Sequence, residues 1–291
     1  MMKKNRRIGI SFALTIMMIV LVLAGCGSTA PAPGPGTDAS KSNGGADSSG
    51  QAAASTLDAI KKRGKLIAGV KFDTKLFGLK DPGSGKVEGF DIDLAKALAK
   101  QILGDESKIE LKEVTSKTRI PMLNNGDIDI IIATMTITEE RKKEVEFTDV
   151  YFKAGQSLLV KKGSPIKSVA DVKKGVKVLA VKGSTSTTNI RAKSPEATVL
   201  EFENYQEAFT ALKAGQGDTL TTDNAILYGM VKQDPNYEVV GGTFTDEPYG
   251  MAIKKGDTTF ASYVNDFLKS LQSNGQYEKL YEQWIGEKPT K

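Results

Sequence analysis

Three stretches of the sequence place hydroxyl, amine or carboxyl groups directly behind β-rich apolar runs. They are Thr134-Met135-Thr136 after Ile128–Ala133, Lys182-Gly183-Ser184-Thr185-Ser186 after Val176–Val181, and Thr222-Asp223 after Asp218–Thr221. Histidine is absent and Cys26 is the one cysteine, which excludes His/Cys metal sites, nucleophiles activated by imidazole and a disulfide within one chain. Carboxylates, lysine, tyrosine and hydroxyls remain for chemistry. In open α/β sheets, ligands bind beyond the carboxyl ends of the strands, so these polar ends predict a polar cleft. Singly, the residues have plainer readings. Arg141, within Glu139-Glu140-Arg141-Lys142-Lys143, reads as part of a solvated helix face; Asp223, before Asn224-Ala225-Ile226-Leu227, reads as a helix N-cap; Lys182 reads as a solvated loop lysine.

From about Thr56 onward, short β-rich runs alternate with segments of 3.6 periodicity, the pattern of an α/β architecture with mainly parallel sheets. Strands are expected at Leu66–Val70, Ile109–Val114, Ile128–Thr134, Ser157–Val160, Val176–Val181, Thr198–Phe202 and Asp218–Thr222. Helices are expected at Asp91–Leu103, Arg119–Asn125, Thr187–Lys193, Tyr205–Ala214 and Asn224–Gln233. Val239–Val240 and Met251–Lys254 read as further strands, and Phe260–Trp284 as one or two amphipathic helices broken near Asn274-Gly275. Two such sets of similar weight predict two lobes, each with its own sheet.

The N-terminus reads as an address. Lys3, Lys4, Arg6 and Arg7 precede the apolar run Ile8–Leu23, which is short of the roughly 20 residues a spanning helix needs. The run ends in Leu23-Ala24-Gly25-Cys26, giving the layout of a secretory signal peptide over residues 1–25. From Gly27 to Ser55 there is no aromatic residue, Ile, Leu, Val or Met, so residues 26–55 read as a disordered tether. The formal net charge of +5 falls to +1 once those four basic residues are set aside, leaving 36 Lys+Arg against 35 Asp+Glu. A near-neutral body argues against nucleic acid as a partner.

Several segments resemble the extracellular solute-binding proteins of family 3, the polar amino acid receptors of ABC importers. They are Glu88-Gly89-Phe90-Asp91-Ile92-Asp93-Leu94-Ala95, Asn125-Gly126-Asp127-Ile128-Asp129, Thr136-Ile137-Thr138-Glu139-Glu140-Arg141-Lys142, Phe147-Thr148-Asp149-Val150-Tyr151, Ala180-Val181-Lys182-Gly183-Ser184-Thr185 and Asn274-Gly275-Gln276-Tyr277 with Trp284. The resemblance implies a periplasmic-binding-protein-like type II fold, two α/β lobes joined by a two-strand hinge. Lobe 1 would comprise 56–153 and 248–291, and lobe 2 would comprise 154–247. The four residues ending in Cys26 resemble a bacterial lipobox, which implies lipidation of Cys26 and anchoring at the extracellular face of the cell membrane. The implied partners are a free polar L-amino acid, an ABC permease and, through it, an ATPase. No cofactor and no catalytic residue is implied, and a monomer is expected.

Carried over by residue, the family pattern implies that Arg141 forks onto the ligand α-carboxylate with the help of Thr136, a bidentate pairing that lysine cannot reproduce. Asp223 would meet the α-ammonium from the opposite lobe, and Thr185 and Ser186 would add hydroxyls and N–H groups from a helix start. Ala133 and Thr134 at their strand end, Asp73, Leu76 and Phe77 after the first strand, and Lys182 on the far side complete the expected set, with a core reading of Leu76 and Phe77 open beside the pocket one. Arg119, in Arg119-Ile120-Pro121, resembles the side-chain-binding arginine of glutamate/aspartate receptors, whereas Phe77-Gly78-Leu79-Lys80-Asp81-Pro82 resembles receptors labelled glutamine-binding. Glutamine, glutamate and aspartate therefore stay open. A dehydratase-like enzyme on the same fold, with Glu88 or Lys182 moving a proton, and an amino acid sensing domain are the rival readings.

Overall fold

The computed structural model describes residues 55–289, so the expected signal peptide, the lipidation site at Cys26 and nearly all of the expected tether lie outside the described residues. Within that range no helix is long and apolar enough to cross a membrane. The described chain begins with helix α1 (Thr56–Arg63) and strand β1 (Leu66–Val70), followed by the short strands β2 (Asp73–Thr74), β3 (Gly78–Lys80) and β4 (Val87–Glu88). Helix α2 (Phe90–Leu103), strand β5 (Ile109–Glu113), helix α3 (Arg119–Asn124), strand β6 (Ile130–Ile131) and helix α4 (Glu139–Glu144) lead to the long strand β7 (Val145–Ala154). Next come β8 (Gln156–Lys161), β9 (Lys177–Val181), α5 (Thr185–Lys193), β10 (Thr198–Phe202), α6 (Tyr205–Lys213), β11 (Thr219–Asp223), α7 (Asn224–Gln233) and β12 (Tyr237–Val240). Strand β13 (Glu247–Lys254) and helices α8 (Thr258–Ser273) and α9 (Gln276–Ile285) complete it.

Two five-stranded sheets share one plan, β5-β1-β6-β13-β7 in lobe 1 and β10-β9-β11-β8-β12 in lobe 2. The first three strands of each are parallel, and the last two join antiparallel. The sheets are therefore mixed where the sequence pattern predicts mainly parallel ones. The reason is connectivity: β8 and β13 each enter their sheet straight from the other lobe, against the direction of its parallel strands. Gly155 alone separates β7 from β8. The return connection lies beside it, with the Phe244 N–H on the Gln156 carbonyl at 2.9 Å and the Gln156 N–H on Thr245 Oγ1 at 3.1 Å.

The core strands read as the sequence predicts, because strands covered on both faces become continuous apolar runs: Leu66, Ala68 and Val70 in β1 and Val178, Leu179, Ala180 and Val181 in β9 are fully buried. β7, α1, α4 and the strands β2 to β4 were not anticipated. Val145–Ala154 lacks a clean alternation because it is an edge strand with irregular pairing to β13 around Gly250; β2 to β4 are too short to show a period, and α1 buries only Leu57 and Ile60. The strand expected over 128–134 forms only the short ladder of β6. Its start is held by the Asp129 carboxylate, which accepts the Ile67 N–H at 2.7 Å, and its end turns away at Thr134, whose φ is 44°.

Phe90, at the start of α2, is fully buried against the rings of Phe77, Tyr151, Phe152, Tyr277 and Tyr281. This cluster fixes α9 to lobe 1, as does the Trp284 indole N–H on Asp93 at 2.8 Å. Gly89 makes the close packing possible: its φ is 150°, and any side chain there would run into the Phe77 carbonyl.

Candidate functional site

The carboxyl ends of β1 and β6 and the starts of α2, α3 and α4 bring their polar residues to one side of lobe 1. Lys71, directly after β1, is fully buried; its amine donates to Ser116 Oγ at 3.2 Å and lies 5.1 Å from the centre of the Tyr205 ring of lobe 2. Burial pushes this amine down to about 8. Asp91 in α2 is also fully buried and accepts the Thr134 N–H and the Tyr151 hydroxyl, each at 3.0 Å. Burial nevertheless pushes its carboxyl up to about 7.

Arg119 donates through Nη1 to the Ala133 and Thr134 carbonyls at 2.7 and 3.4 Å. Arg141 donates to the Thr136 carbonyl at 2.7 Å and, across the cleft, to the Gly183 carbonyl at 3.1 Å. At 9% exposure it is no solvated helix residue. Burial pushes both guanidinium groups down, and the charge of Arg141 adds to the effect on Arg119.

Lobe 2 answers with acceptors. Asp223 occupies the N-cap position of α7, but its side chain caps nothing; Oδ2 accepts the Tyr249 hydroxyl at 2.5 Å. Burial, followed by the charge of Glu247, pushes the Asp223 carboxyl up to about 7. Glu247, almost fully buried at the start of β13, accepts from Thr185 Oγ1 at 2.8 Å and from Asn189 and Thr245, each at 2.9 Å. Because the carboxylate only accepts, the Thr185 hydroxyl donates to it and accepts from Gln156 Nε2 at 3.0 Å. The Gln156 amide is thereby oriented, leaving Oε1 as a free acceptor.

Five buried side-chain polar atoms have no partner among the described residues: Arg119 Nε, Thr134 Oγ1, Gln156 Oε1, Ser186 Oγ and Asp223 Oδ1. Buried polar groups are nearly always hydrogen-bonded, so five orphans shared between strand and helix ends of two facing lobes mark a candidate ligand site. They sort by chemistry. Lobe 1 presents a guanidinium donor, Arg119 Nε, with a second guanidinium on Arg141, and lobe 2 presents two acceptors, one of them a carboxyl. The hydroxyls of Thr134 and Ser186 can do either. Such a cleft suits a small molecule with an anionic end and a cationic end.

Most of the expected residues gather here: Arg119, Ala133, Thr134, Thr136, Arg141, Thr185, Ser186 and Asp223 line the two facing walls. Asp73 lies at the rim, where its carboxylate accepts the Tyr205 N–H of lobe 2 at 2.7 Å. Of the two readings open for Leu76 and Phe77, the structure places both among the core residues: Phe77 packs edge-on to Phe90, Phe152 and Tyr249. Lys182 is corrected, because its exposed amine pairs with Glu203 at the surface and does not turn inward. The sequence reading missed Lys71, Gln156, Tyr205, Glu247 and Tyr249. Lys71 was within reach of the strand-end rule, since it directly follows β1. Gln156, Glu247 and Tyr249 carry no local signal, because crossover strands bring them in, and Tyr205 enters from the start of α6.

Residues 66–287 match the model of bacterial extracellular solute-binding proteins, family 3. The chain is 68% identical over 234 residues, covering 80% of this chain and 86% of the other, to the ABC transporter glutamine-binding protein GlnH of Bacillus subtilis (strain 168). It is 30% identical over 251 residues, 82% of each chain, to the glutamate/aspartate import solute-binding protein of Escherichia coli (strain K12). Among solved structures, an ancestral arginine-binding protein bound to glutamine superposes with a TM-score of 0.72 at 47% identity, covering 77% of this chain and 99% of that one.

Proposed function

We propose, from the premise that this chain belongs to the bacterial extracellular solute-binding proteins of family 3, that its lobes close on one free amino acid, L-glutamine ahead of glutamate, for delivery to an ABC permease. The observation that carries the reading is the set of five orphaned atoms, with the cationic donor Arg119 Nε on lobe 1, the acceptors Gln156 Oε1 and Asp223 Oδ1 on lobe 2, and one hydroxyl on each lobe. Arg141 and Arg119 take the carboxylate side, and Asp223 with Gln156 takes the ammonium. Lys71 and Asp91, both fully buried, line the part of lobe 1 that would receive the side chain.

The preference for the amide follows from charge. Lys71 and Arg119 already face Asp73 and Asp91, and a buried charge needs a compensating partner of its own. A neutral carboxamide offers donors and an acceptor without upsetting that balance. The binding-protein names of relatives at 68% and 71% identity, both glutamine-binding, support the same reading and describe binding proteins rather than enzymes. Anchoring through a lipid on Cys26, work at the extracellular face of the cell membrane and a monomeric state belong to the same proposal. Membrane fractionation of Cys26→Ser against the wild type tests the anchor.

Calorimetric titration with glutamine, glutamate, aspartate and arginine tests the ligand. Glutamine is expected to bind most tightly with a stoichiometry of one. Tight binding of arginine alone, or of none of the four, would overturn the reading.

A further inference from the structure

Lobe 1 bears on lobe 2 through the turn between β2 and β3. At one side of this lip the Asp73 carboxylate accepts the first N–H of α6 at 2.7 Å. At the other side the Lys75 carbonyl comes so close to α7 that a Cβ built on Gly229 would sit 2.6 Å from its oxygen and 3.2 Å from its carbon. The lip itself is held tightly, with Leu76 at φ 79°, a left-handed conformation that residues other than glycine rarely adopt. Ala225, one turn earlier, lies on the same face of α7.

Gly229 has an ordinary helical backbone and nothing in its own lobe that a methyl group would strike; the close atoms all belong to Lys75. This separates it from Gly183, the other glycine against the opposite lobe. A Cβ there would lie 2.8 Å from the Lys117 Cα, but Gly183 also has φ 74°, so substitution would strain its own turn whether or not the lobes meet. A helix-interior glycine normally lowers helix stability relative to alanine, so within lobe 2 alone it has no advantage.

We propose that Gly229 is a positioning residue that sets ligand affinity by letting the lobes close fully, although it lies outside the set of ligand contacts. Its missing side chain is the space into which the Lys75 carbonyl moves. A methyl group would hold the closed form ajar and leave the open form unhindered, so ligand-driven closure would have to work against it. The inference rests on the reading of the protein as a receptor that closes on an amino acid.

The test compares wild type, Gly229→Ala and Tyr228→Ala; Tyr228 is the neighbouring position, 51% exposed. The probe is L-glutamine, or whichever of glutamate, aspartate and arginine the wild type binds, so that a wrong ligand assignment leaves this comparison intact. Gly229→Ala is expected to bind at least tenfold more weakly through faster dissociation, to compact less in solution scattering at saturation, and to melt no lower than wild type when empty. Tyr228→Ala is expected to bind within twofold of wild type. Unchanged affinity of Gly229→Ala would overturn the proposal. So would a lowered melting temperature of the empty variant, because it would show that lobe 2 itself needs the glycine.

Discussion

Gln156 and Asp223 stand directly opposite each other in the antiparallel ladder of β8 and β11, and each presents one oxygen without a partner. Directly opposed residues share a face of the sheet with their Cβ atoms about 5 Å apart. The two acceptors are thus neighbours at the hinge end of the cleft, as a shared ammonium would require.

Asp223→Asn should keep the acceptor for Tyr249 and turn an N–H toward the ligand ammonium. Glutamine affinity is expected to fall by about a hundredfold or more, within the 2–5 kcal/mol typical of breaking a buried charged pair. The empty protein should gain stability at pH 8, on the order of 1 kcal/mol, because a buried negative charge is exchanged for a neutral amide. Calorimetry and thermal melting check both. A lowered empty melt would mean that the carboxylate is structural.

Burial raises the carboxyls of Asp91 and Asp223 from 3.8 to about 7. Between those values the folded chain holds protons that the unfolded chain has released, so the stability of the empty protein should fall as pH rises through that window. The slope is at most about 1.4 kcal/mol per pH unit for each group. Lys71 is lowered from 10.5 to about 8, so between those values the unfolded chain holds the extra proton and stability should rise again. Glutamine binding near pH 6 should release a proton from Asp223, seen as a buffer-dependent heat of titration.

Lys71→Met replaces a buried amine by an apolar chain of similar length. Glutamate affinity should fall about tenfold more than glutamine affinity, as expected for loss of one charge-assisted hydrogen bond of about 1.5 kcal/mol or more. Parallel titrations measure the ratio, and equal losses for the two ligands would place Lys71 outside the side-chain end of the cleft.

Phe90→Ala opens the aromatic cluster that joins α2 to α9. The expected loss is about 3–5 kcal/mol in denaturant unfolding. Glutamine affinity of the folded fraction should change little, because Phe90 lies behind the cleft wall and presents no polar group to it.

The fold was legible wherever a period or a run could repeat: the buried runs of β1 and β9, helices α2, α6 and α7, and the break at Asn274-Gly275 that separates α8 from α9. β7 was not legible, since an edge strand with irregular pairing has no simple alternation. Of the candidate site, the residues at strand ends could be found by position, and Arg141 and Asp223 through their motifs. Lys182 sat in an equally good motif and still turned to Glu203 at the surface, because a backbone position does not fix where a long, flexible side chain goes.

The sequence by itself determined the α/β class, the absence of imidazole and thiolate chemistry in the folded body, and the strand ends where polar groups had to gather. Those are properties of composition and local spacing. Only the tertiary structure decided that Gln156, Glu247 and Tyr249 join the cleft, that Asp223 turns to Tyr249 instead of capping α7, and that Gly229 meets Lys75. These contacts are made between residues far apart in sequence, by crossover strands and by one lobe lying against the other, and no local pattern encodes them.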